Sequence, residues 1–368
     1  MWKKGHITFL TQTDIDPAKL ISVLKQSRSH FTSKNDKKIL ETILKNFEST
    51  NFSFLTTQEK QYLQRNAQEK WAKYLIHRYK FNYYENAHIL PDFPLYLILE
   101  PVSACNLRCP FCHQIDEKFT SSKQMGMMKL ELFKKIIDEA VNSGTGSITL
   151  TCRGEPTLHP QLGDMLDYCK GKFFELKINT NATRLDEKLI HKILQSSVTE
   201  IVFSVDSYEK VEYESIRVKG IFENVLNNII KFKDIRDGEY PDSKCVTRIS
   251  GVKVNKEQDT IKFKEFWQKY VDHVVMVEME NRWDTYHNPK EIAGSGSCKL
   301  LWERMYIWYD GICNPCDIDY KSELQVGSIK ENSIKDIWTG EKYQKLRKLH
   351  LDGNRNSCYP CDRCPIGS

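Results

Sequence analysis

Three cysteines stand close together in the segment EPVSACNLRCPFCHQ, at Cys105, Cys109 and Cys112. A loop of this length can turn three sulfurs towards one point, and thiolates bind zinc and iron–sulfur clusters. A structural zinc site needs a fourth ligand, and the adjacent His113 is poorly placed to fold back and supply it. A cluster held by three cysteines leaves one iron open to a substrate or cofactor. The spacing favours a cluster, with zinc as the alternative.

Six more of the twelve cysteines lie between residue 298 and the C-terminus. They are Cys298, Cys313, Cys316, Cys358, Cys361 and Cys364. Six thiols exceed by two the number that one cluster needs. A zinc ribbon made from two C-x2-C pairs is the alternative, because tetrahedral thiolate sites use the same spacing. The three single cysteines, Cys152, Cys169 and Cys245, fit ordinary buried positions.

The segment from residue 95 alternates short β-rich runs with amphipathic helix patterns. Six strands are predicted, at 95–100, 147–151, 175–180, 200–205, 246–252 and 273–279. Such alternation predicts parallel strands with right-handed crossovers, in a doubly wound α/β sheet or an open barrel. Ligands of both folds bind at the C-terminal ends of the strands. The first three cysteines directly follow the first predicted strand.

Residues 1–90 have helical periodicity. Asp16 before Pro17 predicts an N-cap and first turn. Thr56 and Glu59 predict a capping box for one long amphipathic helix over residues 58–81. Aromatic and basic side chains of that helix could hold a peptide or an anionic ligand, but packing against the next domain is the favoured interpretation.

The first cysteine group resembles the signature of radical S-adenosylmethionine (radical SAM) enzymes, C-x3-C-x2-C, with an aromatic residue, here Phe111, before the last cysteine. The resemblance implies a partial (β/α)6 TIM-like barrel and a [4Fe–4S] cluster on Cys105, Cys109 and Cys112. The open iron would chelate S-adenosylmethionine and cleave it to a 5′-deoxyadenosyl radical. The cofactor then performs the chemistry while the protein positions and shields it.

The segment CRGEPTLHP follows the second predicted strand and resembles the family's GGE motif. The resemblance implies that Gly154, Glu155 and Pro156 meet the methionine end of the cofactor. Arg153 stands where the family commonly has the first glycine.

Polar residues after the third and fourth strands also match the family pattern. The resemblance implies that Thr180 and Asn181 form a turn near the cofactor. It further implies that Ser204 and Asp206 meet ribose hydroxyls and that Arg217 approaches the cofactor carboxylate. Each residue alone also fits a cap or a turn, but their positions after successive strands favour a shared cofactor site.

The C-terminal region resembles the auxiliary-cluster domain of this family, of the SPASM or shorter twitch type. The matching strings are DGICNPCDID, then G-x-I, then S-I-x-x-I-W, then a terminal C-x2-C. The cysteine spacing is similar to the single-cluster type found in 2-deoxy-scyllo-inosamine dehydrogenase. The resemblance implies one auxiliary [4Fe–4S] cluster on Cys298, Cys316, Cys361 and Cys364, and leaves Cys313 and Cys358 spare.

The predicted domains are a helical N-terminal extension (1–90), a radical SAM partial barrel (91–290) and an auxiliary-cluster domain (291–368). Substrate residues are expected in the barrel mouth between the two clusters. Glu280 and Asn281, after the sixth strand, and Arg304, at the start of the auxiliary domain, are the predicted catalytic residues. An ion pair or a strand-end cap is the alternative for each.

Composition narrows the class of protein. The 368 residues are 40% hydrophobic and 28% charged, which suits a folded protein of two or three domains. The net charge of +5 comes from scattered lysines, so a solvated surface is favoured over nucleic-acid binding. The absence of an apolar run of signal-peptide or membrane-span length predicts a cytoplasmic protein without membrane contact.

The predicted function is that of a radical SAM oxidoreductase. It would dehydrogenate a sugar or cyclitol-type metabolite, with the auxiliary cluster accepting an electron and a flavodoxin- or ferredoxin-type protein supplying electrons. A maturase acting on a ribosomally made peptide is the first alternative. A zinc-binding interaction protein without catalysis is the second.

Overall fold

The computed structural model describes residues 7–9, 15–121, 124–279 and 284–366. The chain divides into two compact units. One comprises Leu10–Leu90, and the other comprises Met1–Phe9 together with Pro91–Ser368.

The unit Leu10–Leu90 is helical. Its helices are α1 (Pro17–Gln26), α2 (Lys34–Glu48), α3 (Thr57–Arg65) and α4 (Trp71–Ala87). The predicted N-cap is confirmed, because the Asp16 carboxylate accepts the amides of Ala18 at 2.9 Å and Lys19 at 3.2 Å. The Thr56–Glu59 capping box at the start of α3 is also confirmed. Buried apolar residues from all four helices form the interior, including Leu20, Leu40, Leu63 and Leu75.

The prediction of a single long helix over residues 58–81 is wrong, because the chain leaves the helix after Arg65 and re-enters it at Trp71. Asn66 lies between the two helices with an extended backbone. Its side-chain amide donates to the carbonyl of Tyr62 at 2.9 Å. Such a local bond satisfies a carbonyl at the helix end and competes with helix continuation.

Six parallel strands confirm the strands predicted from the sequence. They are β2 (Tyr96–Leu99), β3 (Ser147–Leu150), β4 (Glu175–Thr180), β5 (Glu200–Ser204), β6 (Val246–Lys253) and β7 (His273–Glu278). Each pairs in parallel with its sequence neighbour, from β2 to β7. The carboxyl ends of the strands therefore meet at one edge, as the α/β prediction requires.

Four further strands extend this sheet on both sides: β1 (Ile7–Phe9), β8 (Arg304–Ile307), β9 (Ile312–Asn314) and β10 (Gly327–Ser328). β1 pairs antiparallel with β7, so the helical prediction for residues 1–90 does not hold at Ile7–Phe9. β8 pairs in parallel with β2, and β9 and β10 continue the sheet antiparallel.

Helices connect the strands or follow them. They are α5 (Glu117–Thr120), α6 (Leu130–Asn142), α7 (Leu162–Cys169), α8 (Glu187–Gln195), α9 (Lys210–Ile216), α10 (Phe222–Glu239), α11 (Thr260–Trp267), α12 (Leu300–Glu303), α13 (Ile334–Thr339) and α14 (Glu341–Leu351). The helices α6, α8 and α10 lie between predicted strands, which confirms the alternation of strands with amphipathic helices. No helix in the described ranges is both long and apolar enough to cross a membrane.

The parallel strands present two chemically different faces. One face is apolar and fully buried, as at Ile148, Ile178 and Phe203. The other, which we call the inner face, carries polar side chains at alternating positions, such as Lys177 and Asn179 on β4. This pattern fits a partial barrel whose crossover helices cover the outside.

Candidate functional site

The loop after β2 brings together Cys105, Cys109 and Cys112. All three thiols are free, and they lie close enough to influence one another's ionisation. Burial, with a smaller contribution from the neighbouring thiols, raises the pKa of Cys105 to about 11 and that of Cys112 to about 12. Thiols of this kind ionise when a metal replaces their protons. The three cysteines fit a metal cluster bound at this loop.

A single zinc ion and an iron–sulfur cluster require different spacings of the three sulfur atoms. Among the described residues, no three His, Cys, Asp or Glu side chains lie close enough to hold one metal ion. Ligands of a cluster stand further apart, because each thiolate binds a different iron. His113, the fourth ligand considered for zinc, has its Nε2 atom 3.1 Å from the carbonyl oxygen of Arg153.

Gly154 allows the turn after β3 to lie directly against the cysteine loop. A Cβ atom at this position would stand 2.3 Å from the carbonyl oxygen of Val102 and 2.4 Å from that of Ala104. The next residue continues the contact, since the amide of Glu155 donates to the Ala104 carbonyl at 2.9 Å. Close backbone approach to the cysteine loop therefore requires glycine at this position.

The Glu155 carboxylate joins the ends of β3 and β4. It accepts hydrogen bonds from the Thr157 hydroxyl at 2.6 Å, the Thr180 hydroxyl at 2.7 Å and the amide of Asn181 at 2.7 Å. Burial raises its pKa, and these bonds oppose the shift. Pro156 follows as the first residue of a short 3-10 turn that Glu155 caps. Both oxygens of Glu155 are used within the protein, so its clearest role is to position its neighbours.

Asn181 reaches the cysteine loop directly. Its Nδ2 atom lies 3.7 Å from the sulfur of Cys105 and donates to Asn106 at 2.9 Å. The turn that Thr180 and Asn181 form thus lies beside the cysteine loop. Hydrogen bonds to a cluster ligand are one way in which a protein tunes the potential of a cluster.

Arg217 and Phe111 meet at the second cysteine. The Nη1 atom of Arg217 lies 3.9 Å from the Cys109 sulfur, and its guanidinium stands 5.7 Å from the centre of the Phe111 ring. The sequence placed Arg217 near the cofactor but did not anticipate the sulfur contact, because the two residues are 108 positions apart.

The structure does not support a ribose contact for Asp206. Its carboxylate is fully buried, pairs with Arg217 and accepts the amide of Val252 at 2.8 Å. Asp206 therefore holds Arg217 in place and has no open face for a ligand. Ser204, the other predicted ribose contact, is half-buried on the inner face and remains accessible.

Two of the three predicted catalytic residues, Glu280 and Asn281, lie outside the described residues. The third, Arg304, is the first residue of β8 and pairs in register with Tyr96, the first residue of β2. Because β8 runs parallel to β2, this pairing places Arg304 at the opposite end of the strands from the cysteine loop. Its prediction as a residue of the barrel mouth is therefore wrong.

Four cysteines of the second group line one pocket, in agreement with the set that the resemblance implied. They are Cys298, Cys316, Cys361 and Cys364. Burial raises the pKa of Cys298 and of Cys316, and the thiols of this set add to the shift. The pocket wall is otherwise mostly apolar, with Leu300, Ile318 and Leu324 among its residues. Four converging thiols in an apolar pocket fit an iron–sulfur cluster.

The other two cysteines of this group do not line the pocket. Cys313 is fully buried in β9, where burial raises its pKa well above the ordinary value. Cys358 lies against Cys361, and the hydrogen bond between them lowers the pKa of Cys358. Cys313 is a core residue, and Cys358 is a neighbour of the site.

The inner face carries polar residues that sequence reasoning missed. Lys177 lies 3.0 Å from Glu200, which lies 3.1 Å from Arg248. Further towards the strand ends, Ser250, which was also missed, pairs in register with the predicted Ser204. The sequence feature that could have identified them is the alternation of polar with apolar residues along these strands.

Comparisons with known proteins agree with this arrangement. Residues 99–266 match the Radical SAM superfamily, and residues 298–365 match SPASM, an iron-sulfur cluster-binding domain. The chain is a radical SAM protein with a SPASM domain. Its cofactors are accordingly a [4Fe–4S] cluster, S-adenosylmethionine and an auxiliary cluster. The loop after β2 and the four-cysteine pocket fall within the two matched ranges.

Curated relatives of this radical SAM protein differ in function. A tungsten-containing aldehyde ferredoxin oxidoreductase cofactor-modifying protein of Pyrococcus furiosus is 25% identical, over 74% of this chain and 87% of the relative. The subtilosin biosynthesis protein AlbA of Bacillus subtilis is 24% identical, over 74% of this chain and 65% of AlbA. The S-adenosyl-L-methionine-dependent 2-deoxy-scyllo-inosamine dehydrogenase of Niallia circulans is 21% identical, over 72% of this chain and 90% of the dehydrogenase.

A solved structure confirms the fold. SuiB of Streptococcus suis, bound to S-adenosylmethionine, matches with a TM-score of 0.58 and 16% identity. The match covers 92% of this chain and 89% of SuiB.

Proposed function

We propose that this radical SAM enzyme oxidises a polar small metabolite, of the sugar or cyclitol type, at a carbon that bears a hydroxyl group. The observation that carries the proposal is the hydrogen-bonding character of the inner face. Asn179, Ser204 and Ser250 are half-buried there, and none has a side-chain hydrogen-bond partner among the described residues. Amide and hydroxyl groups of this kind suit the hydroxyl groups of a polyol.

The position of these residues relative to the cysteine loop supports the proposal. Asn179 precedes Asn181 by two residues, and the Asn181 amide contacts Cys105. On the same face, Lys177 and Arg248 both form ion pairs with Glu200, nearer the amino ends of their strands. The neutral polar groups therefore lie on the side of the cysteine loop.

The cofactors define the chemistry available to such a substrate. When bound, they would supply a 5′-deoxyadenosyl radical to remove a hydrogen atom from the substrate carbon, and an auxiliary cluster to take the remaining electron as the hydroxyl group releases its proton to solvent. The residues of the chain orient the hydroxyl-bearing carbon and exclude water. The relative named as 2-deoxy-scyllo-inosamine dehydrogenase supports a reaction of this class.

Two further predictions belong to the same proposal. A flavodoxin- or ferredoxin-type protein would supply the reducing electron, and nucleic acid would not be a partner. The scattered charge behind the net +5 supports the second statement.

Modification of a ribosomally made peptide is the second candidate. The similarity to the subtilosin biosynthesis protein AlbA favours it, at 24% identity over 74% of this chain. The helical unit Leu10–Leu90 would then be a candidate peptide-binding element.

Deuterium transfer into 5′-deoxyadenosine tests the proposal. The anaerobic enzyme is given S-adenosylmethionine, dithionite and one carbon-deuterated compound at a time. The polyol set is 2-deoxy-scyllo-inosamine, myo-inositol and UDP-N-acetylglucosamine, and the peptide set is any short peptides encoded beside this chain's gene. Transfer from a polyol, weakened at least tenfold by Ser250→Ala, is the expected result. Transfer from a peptide alone, or from none of these compounds, would overturn the proposal.

A further inference from the structure

Arg153 occupies a position at which radical SAM proteins commonly have glycine, and its side chain is almost fully buried, at 3% exposure. Its guanidinium makes two hydrogen bonds to the Glu100 carboxylate, each 2.6 Å long. Glu100 is itself fully buried. A buried bidentate ion pair of this kind holds both side chains in one geometry, and removing one partner is costly.

The backbone next to Arg153 is strained. Cys152 has a φ angle of +111°, which L residues rarely adopt. Such a conformation costs on the order of 1–3 kcal/mol and persists only where the surrounding structure enforces it. The Arg153 amide donates to the same Glu100 carboxylate at 3.3 Å, so backbone and side chain are anchored together.

The third nitrogen of the guanidinium reaches the segment that follows Cys316. Its Nη1 atom donates to the carbonyl oxygen of Tyr320 at 2.9 Å. The same guanidinium stands 4.2 Å from the centre of the Trp308 ring, within range of a cation–π interaction. Arg153 therefore joins the ends of β2 and β3 to the turn that contains Tyr320.

The carbonyl oxygen of Arg153 faces the cysteine loop. It accepts a hydrogen bond from the Gln114 side chain at 2.5 Å, and His113 Nε2 lies 3.1 Å away. The His113 ring stacks on Tyr320, with centroids 4.8 Å apart and an interplanar angle of 20°. His113 directly follows Cys112, so this stack begins at the cysteine loop.

The turn that contains Tyr320 belongs to the wall of the auxiliary pocket. Asp319 and Cys316 both line that pocket. The Asp319 carboxylate accepts the Tyr286 hydroxyl at 2.8 Å and the Leu324 amide at 2.7 Å, which fixes the turn internally. A continuous set of contacts therefore runs from Cys112 through Arg153 and Tyr320 to the wall beside Cys316.

We propose that Arg153 is a positioning residue that sets the placement of the auxiliary cluster relative to the radical SAM cluster. The guanidinium of Arg153 binds the turn beside the auxiliary pocket, and its backbone carbonyl binds the cysteine loop. The inference rests on the proposed cysteine ligands and is independent of the substrate. Glycine at this position could not supply the contacts to Glu100 and Tyr320.

The test variant is the double substitution Arg153→Met with Glu100→Gln, which removes the ion pair without leaving a buried carboxylate uncompensated. Arg153→Lys is the milder variant, because it keeps a positive charge near Glu100 but loses the fork that reaches Tyr320. The matched control is Arg236→Met with Asp272→Asn. Arg236 also pairs with a carboxylate, at 2.7 Å, and contacts a backbone carbonyl, that of Cys245 at 3.3 Å.

The readout is the magnetic interaction between the two clusters in dithionite-reduced protein, measured by electron paramagnetic resonance. The interaction depends on the distance and orientation of the clusters and requires neither substrate nor turnover. Iron content is measured in parallel, and two intact clusters correspond to about eight iron atoms per chain.

We expect the double variant to change or broaden the magnetic interaction at unchanged iron content, with a smaller change for Arg153→Lys. Selective loss of the auxiliary half of the iron would also support the inference. The control pair should lower thermal stability without altering the spectrum. Spectra that are identical in wild type and in the double variant would overturn the inference. If the double variant fails to fold, the spectrum of Arg153→Lys is compared with that of the wild type. A changed magnetic interaction then supports the inference, and an identical spectrum overturns it.

Discussion

The Nη1 atom of Arg217 lies 3.9 Å from the sulfur of Cys109, while its Nε atom pairs with the buried carboxylate of Asp206. The fully buried Asp206 carboxylate thus holds the positive charge of Arg217 against one proposed cluster ligand. Reduction adds a negative charge to a cluster, and a neighbouring cation stabilises that state.

Replacing Arg217 with methionine should lower the reduction potential of the radical SAM cluster. We expect a shift on the order of 50 mV, which for one electron corresponds to about 1.2 kcal/mol. A potentiometric titration followed by electron paramagnetic resonance measures it. Arg217→Lys, which keeps the charge, serves as the control and should shift less. An unchanged potential in Arg217→Met would contradict this account of the contact.

The two cysteine sets should bind iron independently. Replacing Cys105, Cys109 and Cys112 with alanine should remove about half of the iron and abolish cleavage of S-adenosylmethionine, because the open iron belongs to that cluster. Iron and acid-labile sulfide are measured on protein purified without oxygen. Zinc in either site, in place of iron, would show that the cluster assignment is wrong there.

The matched control for the auxiliary set is Cys313→Ala. Cys313 lies in the same region but is enclosed in β9 and is not part of the four-cysteine pocket. Its replacement should leave the iron content unchanged and cost about 1–2 kcal/mol of stability through the small cavity left behind. Cys316→Ala should lower the auxiliary iron. Equal iron losses in the two variants would argue against the proposed ligand set.

Gly154→Ala should displace the cysteine loop. The added methyl group would meet two backbone carbonyls at 2.3 and 2.4 Å, and backbone atoms cannot move aside as a flexible side chain can. We expect a loss of about 3 kcal/mol in the free energy of unfolding, together with reduced iron in the radical SAM site. Denaturant unfolding and iron analysis measure the two effects.

Gly238→Ala provides the contrast. Gly238 lies in α10 with no atom within 4 Å of the added Cβ. Alanine there should raise the free energy of unfolding by about 0.5–1 kcal/mol, because it has the higher helix propensity. If both glycine variants changed stability alike, close approach at Gly154 would not be the cause.

His159 should make stability depend on pH. Its Nε2 atom lies 2.9 Å from the carbonyl oxygen of Met128, and its Nδ1 accepts the amide of Gln161 at 3.0 Å, which suits the neutral ring. Burial lowers its pKa below the ordinary 6.5. The unfolded chain therefore takes up a proton in a range where the folded chain does not. This part of the stability is complete above pH 6.5 and declines as the pH falls below it.

The matching variant is His159→Gln, which removes the titrating group. Urea unfolding at several pH values between about 5 and 7.5 should give a shallower pH dependence for the variant below pH 6.5. Parallel curves for the two proteins would show that His159 does not contribute.

The six parallel strands and the two cysteine sites could be predicted because their signals are local. Strand β4, for example, alternates buried Leu176 and Ile178 with half-buried Lys177 and Asn179, and this pattern needs no distant partner to be recognised. The cysteine spacings are equally local. Local signals therefore identified both the elements and most of the candidate ligands.

Relationships between distant residues could not be predicted in this way. Arg304 was expected in the barrel mouth, but the parallel pairing of β8 with β2 puts it at the other end of the strands. Asp206 was expected to face a ligand, but it pairs with Arg217 eleven residues away. Pairing of this kind depends on the packed fold, which the periodicity of a single segment does not reveal.

The ten-stranded sheet formed by the described residues ends in two very short strands. β1, with three residues, forms one edge of the sheet beside β7. β10, with two residues, forms the opposite edge beside β9. An exposed strand edge invites pairing with a second chain, and the risk grows with its length. Because each edge strand exposes so little unpaired backbone, the sheet is a poor template for pairing with strands of other chains. This holds even though its central strands are rich in residues that favour β-aggregation.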